Sequence, residues 1–191
     1  AAYGTTVAAS PASIAASTAA TAVSKTVSGL SCGTLYHYRA VGVSSVGTAS
    51  GADMTFTTSA CPTVVSITAA NTNPNTVNAT VSWTVLFDVS VSGVDASDFV
   101  LVPGGGVTGA AITSVTGSGT TWTVSAGTGT AYGTLGLNLV DNDSIVDAAG
   151  GPLGGAGAGN GNFTGEVYTI APPVPVLSKL SSTAAAVVGD V

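Results

Sequence analysis

Alternation of apolar and polar side chains constrains the fold of this chain more than any other feature. Between residues 79 and 88 every second position is apolar: Ala79, Val81, Trp83, Val85 and Phe87. A period of two residues indicates a β-strand with one buried face. Shorter runs with the same period are separated by Gly-, Asn-, Asp- and Ser-rich turns, at Val65/Ile67, Phe99/Leu101, Trp122/Val124, Leu135/Leu137/Leu139 and Tyr168/Ile170. Short strands with turns between them predict an all-β protein of sandwich or barrel type.

The composition agrees with strands and argues against disorder. Charged residues make up only 6% of the chain, where roughly a quarter is usual in globular proteins. Hydrophobic residues make up 45% and the mean hydropathy is +0.54, whereas disordered chains combine low hydrophobicity with high net charge. The chain is therefore expected to bury a core.

The charge balance excludes several classes of partner. The net charge is −6, and Lys25, Arg39 and Lys179 are the three basic residues. Because phosphate backbones and anionic membrane surfaces are held by several Lys or Arg side chains, we expect neither nucleic acid nor such a surface as partner. No apolar run approaches the roughly 18 residues that a membrane helix needs, so no membrane-spanning segment is expected.

Two sequence boundaries divide the chain into three pieces. One strand pattern ends and another opens at Cys61-Pro62, and a proline-rich stretch from Ala171 to Pro175 reads as an extended linker. We therefore expect pieces at residues 1–61, 62–170 and 171–191.

The first piece carries a family pattern. Residues 30–58 contain L-x-x-G-T-x-Y as Leu30, Gly33, Thr34 and Tyr36, followed by alternation and a closing TFTT strand. This resembles the last two strands of a fibronectin type III domain. The resemblance implies that Leu30 and Tyr36 form its tyrosine corner and that Tyr36, Tyr38 and Ala40 face a core.

The first piece is too short for a whole domain of that kind. An immunoglobulin-type sandwich takes about 100 residues, whereas only 61 precede the first boundary, where the next piece begins. Three explanations stay open: the chain is a fragment with residues 1–61 partly disordered, the domain begins in a preceding stretch of a longer protein, or another subunit supplies the missing strands.

The two cysteines, Cys32 and Cys61, are interpreted as one disulfide because the composition is typical of extracellular proteins. The alternative is a pair of free thiols. In the fibronectin-type resemblance both cysteines lie at the same pole of the domain. With His37 as the single histidine, a structural zinc site is not expected.

The second piece has the length of a complete sandwich. Its segments TVSWTVLFDVSVSGVDASDFVL and LGLNLVDNDSIVDAAGGPLGG resemble a repeat of large bacterial surface proteins with immunoglobulin-like domains. The resemblance implies an immunoglobulin-like β-sandwich and an extracellular or bacterial cell-surface location.

Catalytic chemistry is not expected here. Between Pro62 and Ile170 the sequence has no Lys, Arg or His, which removes the usual general base, the Schiff-base lysine and the Ser–His pair. We therefore predict a protein that is not an enzyme.

The close spacing of several aspartates suggests a calcium-binding site. Asp141, Asp143 and Asp147 fall in D-N-D-S-I-V-D, a loop with closely spaced oxygen ligands of the kind that Ca²⁺ prefers. A weaker candidate is Asp88, Asp95 and Asp98. The alternative is that these side chains cap turns.

Trp83 and Trp122 would form a glycan platform if they were exposed. Both alternate in step with apolar neighbours, which favours the core.

The predicted function rests on the tail and on the strands that the first piece lacks. In the tail, Leu180, Ala184, Ala186 and Val188 are candidate assembly residues. The hypothesis is that the tail completes the first piece of the next copy, giving a homo-oligomeric head-to-tail fibre. The alternatives are a fragment of a long adhesin or stalk that binds a surface or glycan, and a non-catalytic appendage of a secreted enzyme.

Overall fold

The computed structural model describes residues 3–17 and 19–172. Over these residues the regular structure is β-sheet with one short 3-10 turn, Ala96–Asp98. The strands in chain order are β1 (Leu35–Tyr38), β2 (Val41–Ser44), β3 (Gly47–Ser50), β4 (Met54–Thr57), β5 (Val64–Ala69), β6 (Asn75–Thr76), β7 (Thr80–Ser92), β8 (Phe99–Gly105), β9 (Ala111–Gly127), β10 (Gly133–Leu139), β11 (Val146–Asp147) and β12 (Phe163–Ala171). The predicted all-β class is confirmed.

Strands β5 to β12 form two sheets that face each other. One sheet has the order β6-β12-β10-β8. In the other, the long central strand β7 pairs with β5, β9 and β11. All of these pairs are antiparallel except β12 with β6, which is parallel. Two mainly antiparallel sheets that bury one face each make a β-sandwich.

The predicted alternation defines the sandwich core. Val81, Trp83, Val85 and Phe87 of β7 are all buried, and they meet Leu135, Leu137, Leu139, Tyr168 and Ile170 from the opposite sheet. The indole N–H of Trp83 donates to the carbonyl oxygen of Glu166 at 2.8 Å, and the Trp83 and Tyr168 rings meet edge to face at 5.0 Å. Trp83 is therefore a core residue, as its phase predicted.

One strand departs from the alternation predicted for it. Val65 and Ile67 were expected to share a face, but Ile67 is buried while Val65 is exposed. The pairing of β5 with β7 shifts register between Val64 and Ser66. Such an irregularity breaks the period of two, which explains why Val65 points to solvent.

The first piece contains one long hairpin. Strand β1 pairs with β4 from Leu35↔Thr57 to Tyr38↔Met54, and β2 pairs with β3 from Val41↔Ser50 to Ser44↔Gly47. The two halves are linked where the Gly51 N–H donates to the Ala40 carbonyl oxygen at 2.9 Å. Between residues 3 and 30, leaving Thr18 aside, the structure describes no strand, only an isolated bridge between Ser10 and Ser24.

The buried core belongs to the sandwich alone. Every buried hydrophobic residue in the described part of the chain lies between Ile67 and Ile170. Across residues 3–17 and 19–61, the hairpin and the segment before it contribute none. Among the described residues the first piece is thus a hairpin that contributes no buried core, and a two-stranded hairpin on its own has only marginal stability.

Candidate functional site

A hydrogen bond of the kind expected for a tyrosine corner is found at the start of the hairpin. The hydroxyl of Tyr36 accepts the N–H of Ser31 at 2.9 Å, five residues upstream, which is the kind of contact that defines the corner in sandwich domains. Thr58 supports the same turn, because its hydroxyl donates to the Ser31 carbonyl oxygen at 2.7 Å. Leu30 lies beside this turn and is half-buried.

The two faces of the hairpin differ in chemistry. Directly paired residues share a face, so Tyr36 and Phe56 lie together, followed by Tyr38 and Met54. We call these four residues the aromatic face. The Tyr36 and Phe56 rings stack at 5.7 Å, and the Tyr38 ring meets Phe56 edge-on at 6.0 Å.

Three of the four residues of the aromatic face are about half exposed, and Tyr36 is partly buried. Tyr38 is 50% exposed, Met54 53% and Phe56 41%. The resemblance implied that Tyr36, Tyr38 and Ala40 face a core, but within the described residues no core lies opposite them. A cluster of large apolar side chains open to solvent marks an interaction surface.

The opposite face of the hairpin holds a polar cluster. Here the Tyr3 hydroxyl donates to the Asp53 carboxylate, the His37 ring nitrogen Nδ1 lies 2.8 Å from Asp53 Oδ2, and the Arg39 guanidinium lies 4.2 Å from the centre of the Tyr3 ring. The Tyr3 hydrogen bond first, and then the His37 contact, hold the pKa of Asp53 below its usual value. The same hydrogen bond raises the pKa of Tyr3.

This polar cluster holds Tyr3 on the face of the hairpin opposite the aromatic face. Sequence reasoning did not find it, because Tyr3 and Asp53 are fifty residues apart and neither belongs to a motif.

The structure joins Cys32 to Cys61, with their Cα atoms 5.0 Å apart. The bridge packs on the glycine-rich loop of the sandwich, where a Cβ built on Gly155 would lie 3.4 Å from the Cys61 sulfur and one on Gly151 3.2 Å from Cys32 Cβ. Nearby, the Gly154 N–H donates to the Pro62 carbonyl oxygen at 2.9 Å. The disulfide therefore fixes the base of the hairpin to one pole of the sandwich.

Two of the three carboxylates predicted to bind calcium, those of Asp141 and Asp147, are directed to backbone N–H groups. Asp141 Oδ2 accepts from Gly159 and Gly161 at 3.1 and 3.2 Å, and Asp141 Oδ1 accepts from Asp143 at 3.0 Å. Asp147 Oδ1 accepts from Ala149 and Gly151 at 2.9 and 2.8 Å. These contacts are those of turn-capping side chains.

Throughout residues 3–17 and 19–172, no three His, Cys, Asp or Glu side chains come together as a metal-binding group. The loop predicted to hold calcium does not gather Asp141, Asp143 and Asp147 into one cluster, so its geometry favours the turn-capping alternative. Asp88, Asp95 and Asp98 are likewise engaged in hydrogen bonds with Thr63, Ser97 and Ser144. Calcium binding stays a prediction.

Trp122 is the second predicted core tryptophan. It is partly buried against the sandwich core, and its indole N–H donates to the Gly119 carbonyl oxygen at 3.3 Å. With Trp83 fully buried, these two side chains do not form an exposed glycan platform.

The structure does not test the predicted assembly residues, because Leu180, Ala184, Ala186 and Val188 lie outside the described residues. No helix in the described part of the chain is long and apolar enough to cross a membrane.

Comparison with known proteins does not place the chain in a family. No protein-family model matches it, and no curated protein matches it in sequence.

Proposed function

We propose that this chain is a non-enzymatic extracellular structural protein, a subunit of a surface fibre that assembles head-to-tail by strand complementation. The observation that carries the proposal is the hairpin with a half-exposed aromatic face and no core of its own. A sheet that lacks its second layer gains stability when another chain supplies the missing strands.

The geometry of the sandwich supports a linear arrangement. The hairpin joins at the pole where the Pro62 carbonyl meets Gly154 and where Thr63, Val64 and Phe163 line one shallow hollow. Strand β12 starts at that pole and ends at Ala171, next to Thr76. Its 9 residues span about 30 Å at roughly 3.3 Å per residue, so the tail leaves from the far pole.

This separation favours contact between copies. The tail would have to run back along the whole sandwich to reach its own hairpin, whereas the hairpin of the next copy in a row lies at the pole from which the tail departs. A contact between different surfaces that does not close on itself generates a filament.

Composition and the disulfide support the location and the absence of catalysis. A disulfide persists in oxidising, extracellular compartments. The sandwich sequence offers no Lys, Arg or His for acid–base or nucleophilic chemistry. The Tyr36–Ser31 hydrogen bond supports the fibronectin-type resemblance of the first piece.

A second candidate is a module of a long stalk or adhesin that binds a surface or a glycan. Because the polypeptide enters and leaves the sandwich at opposite poles, the same geometry also suits domains arranged in tandem along one chain. In that case the strands that cover the hairpin come from the same polypeptide, and the chain in isolation stays monomeric.

The test is electron microscopy of the purified chain together with size-exclusion chromatography. Regular filaments that form with the full chain and disappear on deletion of residues 176–191 are expected from complementation. A matched variant with residues 176–191 replaced by a Gly/Ser segment of equal length is expected to behave like the deletion. Assembly that survives both variants rules out the tail as the joint, and a soluble monomer favours the stalk module.

A further inference from the structure

We infer that the aromatic face of the hairpin, rather than one of its edges, is the surface that receives the tail of a second copy, with Ala184 and Ala186 packed on the rings. This inference rests on the proposed function and specifies both sides of its joint.

The apolar area of the hairpin lies on its face. Tyr36, Tyr38, Met54 and Phe56 project from the same side of paired strands, and three of them are about half exposed. A strand added at the outer edge of β1 or β4 would satisfy backbone groups but leave these rings in water. Removing apolar area from water is the main driving force of association, so the joint is expected where that area lies.

Side-chain size selects the part of the tail that fits. The aromatic face presents large side chains that project from the sheet, and close packing pairs large residues with small ones across a layer. Residues 181–186 read S-S-T-A-A-A, the small-residue run within the tail segment 174–191. Leu180 and Val188 flank this run and are large enough to pack beside the rings rather than on top of them.

The alternation of the tail gives it two different sides. In an extended chain alternate residues share a side, so within residues 179–188 one side holds Leu180, Ser182, Ala184, Ala186 and Val188, and the other holds Lys179, Ser181, Thr183, Ala185 and Val187. The first side is the more apolar, so it is the side that matches the aromatic face. Within residues 179–188 the second side carries the charge, at Lys179, and two of the three hydroxyl groups, so it is expected to face solvent.

The tail is long enough to make this contact. From Pro172 to Ala184 an extended chain spans about 40 Å at roughly 3.3 Å per residue. The chain leaves the sandwich at the pole opposite its own hairpin, so this reach is sufficient to pass the end of the sandwich and lie along the hairpin of the next copy.

The experiment compares matched variants of the full chain. On the acceptor side, Phe56→Ala removes a ring from the aromatic face, and Thr55→Ala, its neighbour on the opposite face, is the control. On the donor side, Ala186→Trp places bulk against the rings, and Ala185→Trp, on the solvent side, is the control. Assembly is measured as the critical concentration in sedimentation, and intrinsic tryptophan fluorescence and thermal unfolding report that the sandwich is folded.

We expect Phe56→Ala and Ala186→Trp each to raise the critical concentration at least tenfold and both controls to change it less than twofold. Combining Phe56→Ala with Ala186→Phe restores the lost volume from the other side, so it is expected to recover assembly relative to Phe56→Ala alone. This recovery separates a specific contact from a general loss of hairpin structure.

A synthetic peptide of residues 174–191 makes the inference testable apart from the proposed function. Added to the full chain, it is expected to bind and to shorten any assemblies, and binding is expected to be lost with Phe56→Ala but kept with Thr55→Ala. If filaments depend on the tail but are insensitive to Phe56 and Ala186, the inference is wrong and the proposed function stands. If the chain forms no filaments, the proposed function fails, and absence of peptide binding then overturns the inference as well.

Discussion

Asp98 illustrates how single polar residues specify the shape of this charge-poor sandwich. It is completely buried, and its carboxylate accepts from the Asp95 N–H at 2.8 Å and from the Ser144 hydroxyl at 2.7 Å. It therefore ties the 3-10 turn before β8 to the loop that follows β10.

We expect Asp98→Ala to lower the free energy of unfolding by about 1–3 kcal/mol, because two part-buried hydrogen bonds lose their acceptor while the exposed donor residues Asp95 and Ser144 can turn to water. Asp98→Asn keeps a side-chain carbonyl acceptor, so a clearly smaller loss is expected. Urea unfolding followed by tryptophan fluorescence measures both. Equal stability of Asp98→Ala and the parent chain would contradict this role.

Asp53 gives the hairpin a dependence on pH. Its pKa in the folded chain lies below the ordinary value of 3.8, so the Tyr3–Asp53–His37 contacts contribute their stabilisation above pH 3.8 and lose it as pH falls through the lowered pKa. A carboxyl ¹³C NMR titration is expected to place the Asp53 midpoint below 3.8.

The Tyr3→Phe variant tests the cause. It removes the hydroxyl that contributes most to the lowered pKa, so the Asp53 midpoint is expected to rise toward the ordinary value. Lys25→Ala serves as control and is expected to leave the midpoint where it was. An Asp53 midpoint at or above 3.8 in the unsubstituted chain would show that these contacts do not form.

At the scale of elements, the disulfide is expected to stabilise the hairpin and not the sandwich. Cys32 and Cys61 are 29 residues apart, and closing a loop of that length is worth about 3–4 kcal/mol in the chain-entropy description. The core lies wholly beyond Cys61, so the sandwich does not depend on the bridge.

Replacing both cysteines, with Cys32→Ser and Cys61→Ser, is therefore expected to speed amide exchange in β1 to β4 at least tenfold while leaving β7 and β10 unchanged. Hydrogen–deuterium exchange with mass spectrometry resolves the two regions, and reduction of the unsubstituted chain should give the same pattern. Faster exchange in β7 would mean that the two pieces unfold together.

The glycine-rich loop before β12 is held by Asp141, whose carboxylate accepts the N–H groups of Gly159 and Gly161 in that loop and of Asp143 beside it. We expect Asp141→Ala to lower the free energy of unfolding by about 2–4 kcal/mol, since hydrogen bonds to charged groups contribute about 1.5–3 kcal/mol each and the loop relaxes in part. The decrease is expected to be equal in calcium and in chelator, because the backbone supplies the partners. Asn142→Ala, an exposed neighbour, is the control. A decrease seen only with calcium present would establish the metal site instead.

Elements with a clear period were predictable from the sequence, and their irregularities were not. The alternation in β7 predicted its buried face residue by residue, since burial of only one face of a strand against the opposite sheet enforces the period of two. The exposure of Val65 follows from a register shift between partner strands, which depends on tertiary pairing. The loop role of Asp141 depends on Gly159 and Gly161 in the same way, so D-N-D-S-I-V-D suggested both calcium and turn caps.

At the scale of the whole molecule, the division between residues 1–61 and the sandwich was visible in the sequence through length and strand pattern. Sixty-one residues are fewer than a sandwich of this type takes, and the structure adds that these residues hold one hairpin with a half-exposed aromatic face. The hairpin lies at one pole of the sandwich and the chain leaves from the other. This arrangement follows from the path of β12 and could not be predicted from the residue pattern.

This end-to-end arrangement sets the spacing of subunits in a fibre. The sandwich measures about 30 Å along β12, and a strand of about ten residues, as in the hairpin from Leu35 to Ser44, adds about 33 Å at most. Subunits packed pole to hairpin are therefore expected to repeat every 30–65 Å, with the lower value if the hairpin lies beside the sandwich and the upper value if it extends the axis. Averaged images of filaments from the disulfide-intact chain measure this repeat. A repeat well above 65 Å would mean that extended tails separate the subunits, in which case the tail links neighbours as a tether and does not complete the sheet.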